Sequence, residues 1–153
     1  MKKQLVTKNL AETIEIGREI GSKLKGGEVI ELISDLGGGK TTLTKGIAEG
    51  AGSKDMVASP SFTISYLYSA PKFNIHHFDF YRLEDSGVVG LSLAEAISEK
   101  NDVIVIEWGD IVADILPESR ITIKLSSDAE DENKRIIEVD LPDQLNYLLE
   151  DLK

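Results

Sequence analysis

Apolar and polar positions alternate along the chain with three different periods, and each period predicts a kind of element. Leu10, Ile14, Gly17, Ile20 and Leu24 recur at helical spacing and predict a first helix with that stripe inward, capped by Asn9 with Glu12 in capping-box position and ended by Gly26-Gly27. Val29–Ile33 reads as a buried strand. Lys40 to Glu49 returns to helical spacing with Leu43, Ile47 and Ala48 on one face, before Gly50 and Gly52 stop it. Phe62 to Tyr68 and Phe73 to Tyr81 are β-rich runs separated by a turn at Ser69 to Lys72, which predicts an antiparallel pair. Ser92 and Glu95 form a second capping box that opens a short helix through Glu99. Val103 to Ile106 is apolar on both faces, as a central parallel strand must be. Arg120 to Leu125 and Arg135 to Leu141 predict a terminal hairpin across the acidic loop SSDAEDEN, and Leu145, Leu148, Leu149 and Leu152 stripe a closing helix.

Helices interleaved with buried strands define an α/β chain: a mixed sheet with a parallel core, antiparallel flanking strands and helices on both faces. At 153 residues, with no internal repeat or linker, one domain over 1–153 is expected. Composition narrows the chemistry. Lys and Arg number 17 against 27 Asp and Glu, a formal charge of −10, which disfavours direct capture of a tRNA or DNA backbone and makes any nucleic-acid role indirect. With no cysteine and two histidines, disulfides, thiolate metal sites and an all-protein zinc site are not expected. No run is long enough for a membrane span and Met1-Lys2-Lys3 leads into no signal-type apolar stretch, so a cytoplasmic protein is expected.

The chemistry concentrates at Val29–Thr42, VIELISDLGGGKTT, where a strand runs through glycines into Lys-Thr-Thr and a helix. This is the layout of a phosphate-binding P-loop. Glycines let the backbone wrap phosphate oxygens, successive N–H groups point inward, and the following helix adds the positive end of its dipole. Leu36, Gly37, Gly38, Gly39, Lys40, Thr41 and Thr42 would then hold the nucleotide, with Lys40 on the terminal phosphates and the Thr41 hydroxyl on magnesium. The full motif wants glycine at 34, where this chain has Ser34.

Acids beyond the carboxyl ends of parallel strands are the natural partners of such a loop. Glu107, ending VIVIE, could hold the metal directly or through water, or orient an attacking water; the competing reading is a strand-terminal acid in solvent. Asp79 shares a strand face with His77 and could position water or the metal's outer shell, or form a salt bridge with Arg82. His76 and His77 face opposite ways, which excludes a joint ligand pair and favours structural roles for both. Trp108 could pack over the loop, over a partner or in the core. Ser61 and Thr63 follow Pro60 and could sense a terminal phosphate or be ordinary polar strand residues, while Arg82 and Arg120 could serve as a finger or an adenine-stacking surface.

In order and spacing, SDLGGGKTTLTKG, SPSFT, HHFDFYRLED, VIVIEWGD and ILPESR resemble the TsaE (YjeE) family over Thr7 to Leu125. The resemblance implies a magnesium-dependent ATPase of bacterial tRNA threonylcarbamoyladenosine biosynthesis that acts with the TsaB and TsaD subunits, resets the modifying enzyme and does not transfer the group itself. It implies Leu36–Thr42 with Lys40 as the ATP site, Thr41 and Glu107 as magnesium ligands and Asp79 in the hydrolytic centre. Family members usually read G-D-L-G-A-G-K-T-T, so Ser34 and Gly38 are departures. Glycine at 38 is more permissive than alanine, and serine at 34 costs about 1 kcal/mol only if its backbone is left-handed. The alternatives are a small-metabolite kinase, against which the scarcity of arginines and of a lid argues, and a non-hydrolysing nucleotide-binding module.

Overall fold

The apolar runs become the strands of one sheet. The computed structural model describes residues 1–35, 37–60 and 64–153. Among them the elements run β1 (Lys2–Thr7), α1 (Leu10–Lys23), β2 (Val29–Ile33), α2 (Lys40–Gly50), β3 (Ser65–Ser69), β4 (Asn74–Asp79), α3 (Gly87–Glu99), β5 (Val103–Glu107), β6 (Ile121–Ser127) and β7 (Arg135–Asp140), with 3-10 segments at Gly109–Val112 and Asp143–Leu148. The strand order is β1-β7-β6-β2-β5-β4-β3. Strands β6, β2, β5 and β4 are mutually parallel, while β7 and β1 extend one flank and β3 the other in antiparallel pairing. The expected parallel core, hairpin β6–β7 and antiparallel pair β3–β4 are all present. Phe62, the first residue of the predicted third strand, lies outside the described residues.

Register sets the site. Leu32 pairs with Glu107 and Glu107 with Asp79, so the ends of β2, β5 and β4 finish level on one rim, where the chain leaves β2 for the glycine loop. Alternation divides the core in two: Ile30, Leu32, Val103 and Val105 face α1 and α2, while Val29, Ile104 and Ile106 face α3. Helices therefore cover both faces.

Four sequence expectations need correction. The stripe of α1 keeps the expected Gly17, Ile20 and Leu24, all buried, but Thr13, Ile16 and Gly21 join it in place of Ile14, which is only half-buried, and Leu10, which is 61% exposed. The helix is turned so that Gly17 and Gly21 meet the backbone of α2, where a Cβ would come within 2.6 Å of Leu43 O and 2.1 Å of Ile47 O. The Asn9 cap is as expected, accepting from Glu12 N–H at 2.9 Å, but the Glu12 carboxylate takes the Lys8 N–H. Helix α3 begins at Gly87, so Ser92 lies inside it and caps nothing; its buried positions Gly90, Leu93 and Ala96 carry the helical period back past the supposed cap. The closing leucines lie in 3-10 turns, with Leu145 N–H on Pro142 O and Leu149 N–H on Asn146 O, because residues three apart align on a 3-10 helix. The edge strand β1 has no counterpart in the sequence analysis, since only Leu5 and Thr7 of its six residues are buried.

Candidate functional site

Helix α2 starts at Lys40 behind Gly39, whose φ of 101° is left-handed and open to glycine at little cost. Gly39 gives no side-chain cap, so the amides of the first turn, which lack intrahelical partners, face outward from the helix end. Gly37 is also left-handed, at φ 76°, and a Cβ there would meet nothing within 4 Å. Ser34 is not among the left-handed residues, so serine carries no backbone penalty there. Gly38, in contrast, is required by its neighbour: a Cβ would fall 2.4 Å from Ser34 Oγ and 2.7 Å from Ser34 Cβ. Positions 34 and 38 are therefore sterically linked.

The loop opens on a cleft of about 220 Å³ lined by Gly37, Gly38, Gly39, Lys40, Thr41, Thr42, Ser59, Asp79, Glu107 and Trp108. Larger grooves, of about 540 Å³ beside Lys25–Val29 and about 460 Å³ over β1, β7 and β6, combine no helix N-terminus with buried carboxylates. The cleft is smaller than the roughly 300–1,000 Å³ of whole-ligand pockets and suits a phosphate chain. Leu36, Ser61 and Thr63 lie outside the described residues.

Lys40 is 7% exposed, its ammonium 3.2 Å from Ser34 O and 4.7 Å from the centroid of the Trp108 ring. Burial pushes its pKa below the ordinary lysine value, and the carboxylates of Glu107, Asp79 and Asp35 offset part of that shift. Trp108 therefore packs over the loop lysine and against Tyr81, centroids 4.9 Å apart, in a left-handed conformation at φ 56°. Glu107 and Asp79 are 2% and 4% exposed, so neither is an acid in free solvent. Asp79 accepts the Tyr81 N–H at 2.9 Å, and its own N–H donates to Ile64 O at 2.8 Å.

One buried side chain at this site was assigned only a structural role from the sequence. His77 contacts Glu107, its Nε2 2.7 Å from Oε2, and shares no contact with His76, which pairs with Asp102 on the other face. Adjacent histidines on a strand point apart, and that rule hid the partnership of one of them with an acid thirty residues away. Of the two arginines considered, Arg120 is held by Glu31 at 2.7 Å and by Pro117 O at 3.0 Å, which directs it away from the cleft. Arg135, at the start of β7, was not singled out. Its Nε is buried without a hydrogen-bond partner among the described residues and lies 3.8 Å from where a Gly39 Cβ would be.

The Thr41 hydroxyl and two carboxylates around a helix N-terminus fit a magnesium–phosphate group, because magnesium takes few protein oxygens and keeps water and phosphate ligands. Fold and cleft together define a mixed α/β protein with a glycine loop and helix N-terminus bordering a cleft at the carboxyl rim of its parallel strands.

Comparison narrows that class. The model of the family described as threonylcarbamoyl adenosine biosynthesis protein TsaE matches residues 7–137. The tRNA threonylcarbamoyladenosine biosynthesis protein TsaE of Bacillus subtilis is 38% identical over 128 residues, covering 84% of this chain and 80% of its own length. Its namesake from Treponema pallidum is 37% identical over 123 residues, covering 78% and 88%. The crystal structure of Bacillus subtilis YdiB superposes with a TM-score of 0.81 at 29% identity, over 99% of this chain and 94% of that one. The chain belongs to the TsaE family.

Proposed function

We propose that this protein is the ATP-binding and ATP-hydrolysing component of tRNA N6-threonylcarbamoyladenosine biosynthesis, acting in the cytoplasm with TsaB and TsaD and leaving the group transfer to them. The observation that carries this reading is the convergence of Lys40 and Thr41, at the start of α2, with Asp79 and Glu107 in one cleft. The amides of the glycine loop and first helical turn bind the phosphates, and the Lys40 ammonium reaches the terminal ones. Burial lowers its pKa, and the two buried carboxylates of Glu107 and Asp79 oppose that shift by favouring the ammonium form beside them. Thr41 and Glu107 hold magnesium, which when bound supplies positive charge against the charge developing on the phosphoryl oxygens. Asp79, fixed by the Tyr81 N–H, orients the attacking water.

The net charge of −10 supports contact with tRNA through the partners instead of directly. A cleft open to solvent supports slow turnover alone and faster turnover once a partner excludes water. ATP hydrolysis measured with and without TsaB and TsaD tests the reading. Lys40→Ala is expected to lower turnover at least about 100-fold, the scale of losing a charge that stabilises the transition state. Absence of turnover in both settings, or turnover indifferent to that substitution, refutes the ATPase. Saturable nucleotide binding without turnover would leave a non-hydrolysing module.

A further inference from the structure

His77 is 0% exposed and sits on β4 two residues before Asp79, so both side chains face α2 with Glu107. Its ring is held at both nitrogens: Nε2 lies 2.7 Å from Glu107 Oε2 and Nδ1 lies 3.2 Å from the Tyr68 hydroxyl. Tyr68 is itself buried and its hydroxyl also lies 3.0 Å from Ala58 O, so with Nε2 donating to Glu107 the single phenol proton serves Nδ1 and that carbonyl between them. Ala58 immediately precedes Ser59, which lines the cleft. A continuous chain of contacts thus runs from the carboxylate at the end of β5, through the imidazole and the phenol, to the backbone of the segment that leads into the other wall of the site.

A buried carboxylate needs a partner for each oxygen, and an unpartnered one is costly. Here the imidazole takes Oε2, which leaves the second oxygen of Glu107 for the cleft the residue lines. Carboxylates that ligate metals are commonly fixed in this way by a hydrogen bond from behind, and loss of that partner weakens metal affinity without touching a ligand.

We propose that His77 is the positioning residue of the site: it pins one oxygen of Glu107 so that the other is presented to the divalent cation, and through Tyr68 it ties that carboxylate to the segment carrying Ser59. The proposal rests on the reading of the cleft as a magnesium–nucleotide site. It assigns no acid–base step to His77; the imidazole acts only through the geometry of Glu107.

Two substitutions of similar polarity separate positioning from packing. In His77→Gln the side-chain amide nitrogen reaches the place of Nε2 and can still donate to Glu107; in His77→Asn it reaches only the place of Nδ1. Trp108, the chain's single tryptophan, neighbours Glu107 and reports binding by its fluorescence as ADP is titrated at graded magnesium concentrations. His77→Asn is expected to raise the magnesium concentration for half-saturation about 10–100-fold, and His77→Gln to stay within about threefold of wild type. ADP binding without magnesium should change little in either, because the loop amides are untouched. In hydrolysis at saturating ATP, the kcat of His77→Asn should fall at low magnesium and recover at high magnesium, with KM for the nucleotide nearly constant.

Equal magnesium dependence in the two variants overturns the proposal. Thermal melting of both shows whether each is folded, and an experiment on the unmodified protein stands in if either is not. Nitrogen NMR of the two imidazoles should show the His77 Nε2 signal move when magnesium is added to the ADP-bound protein, while that of His76, bonded to Asp102 on the opposite face, stays put. A His77 signal that does not respond also overturns the proposal. Failure of the wild type to bind ADP at all is a different result: it removes the reading of the cleft, and this inference with it.

Discussion

Replacing Gly46 with alanine probes what holds the phosphate loop in place. Helices α1 and α2 each carry glycines four apart, Gly17 with Gly21 and Gly46 with Gly50, and cross at backbone contact. A Cβ on Gly46 would lie 2.2 Å from Ile14 O and 2.9 Å from Gly17 Cα. Both are backbone atoms, so no rotamer change relieves the overlap, and the helices must part by roughly 0.8 Å to reach the 3.0 Å that real Cβ atoms keep. Alanine recovers about 1 kcal/mol of helix propensity, but overpacking against a fixed backbone costs about 3 kcal/mol, so a net loss of about 2 kcal/mol is expected. For a domain of this size that lowers Tm by about 4–8 °C. Urea unfolding followed by circular dichroism gives the free energy, and a thermal scan gives Tm. Because α2 begins at Lys40, the shifted helix should also weaken nucleotide binding. A Gly46→Ala protein as stable as wild type, or more so, would refute the claim that backbone contact sets the spacing of these helices.

Three further perturbations follow from particular contacts. Gly38→Ala should destabilise the chain and weaken nucleotide binding, and the same change should cost less in a Ser34→Gly background, since the two severe overlaps are with Ser34 Oγ and Cβ and only the 3.1 Å approach to Asp35 O remains; a double-mutant cycle with coupling below about 0.5 kcal/mol would contradict this. The Tyr68 phenol is pushed up to about 12 by burial, with Glu107 adding to the shift, against an ordinary value of 10. A raised pKa gives stability that is intact below pH 10 and lost as pH rises through 12. Wild type should therefore lose about 2 kcal/mol more across that window than Tyr68→Phe, read from urea melts at each pH. Arg135→Gln should weaken ADP binding about tenfold, the worth of a hydrogen bond from a charged group near 1.5 kcal/mol. Unchanged affinity in a calorimetric titration would mean that Arg135 only braces its own turn, through Glu132 O and Lys134 O.

How much of this was legible in the sequence depends on whether an element's signal is local. Val103 to Ile106 announced a central strand because burial on both faces removes alternation, and it lies between β2 and β4. The strand–glycine–helix unit was legible for the same reason, since loop chemistry, strand and amphipathic face lie within one continuous stretch. Strand β1 was not legible: an edge strand with one face in solvent reads like a charged N-terminus, and its register with β7, from Lys2 opposite Asp140 to Thr7 opposite Arg135, is set by a segment at the far end of the sequence. In α1 the stripe was legible from Gly17 through Ile20 to Leu24 but not at its start, where the hydrophobic pattern points Leu10 and Ile14 inward; Gly21, which has no side chain to count, is invisible to that pattern although it meets α2 at backbone contact.

At the site the division is sharper. Lys40, Thr41, Asp79 and Glu107 could each be nominated from position alone, because loop motif and strand ends are properties of the chain near them. What joins them is a matter of register. The pairing of Asp79 with Glu107 follows from β4 lying next to β5, a neighbour relation that the order of the strands along the chain does not determine. The same adjacency turns His77 from a histidine with no evident task into the partner of a buried carboxylate, because Val105 opposite it leaves the next same-face position on β5 to Glu107. Ser34 and Gly38 make the same point within one loop. Taken separately, one looked like a loss and the other like a harmless relaxation, yet the Cβ and hydroxyl of serine occupy the space that a methyl group at 38 would need, so with serine at 34 the glycine at 38 is a steric requirement.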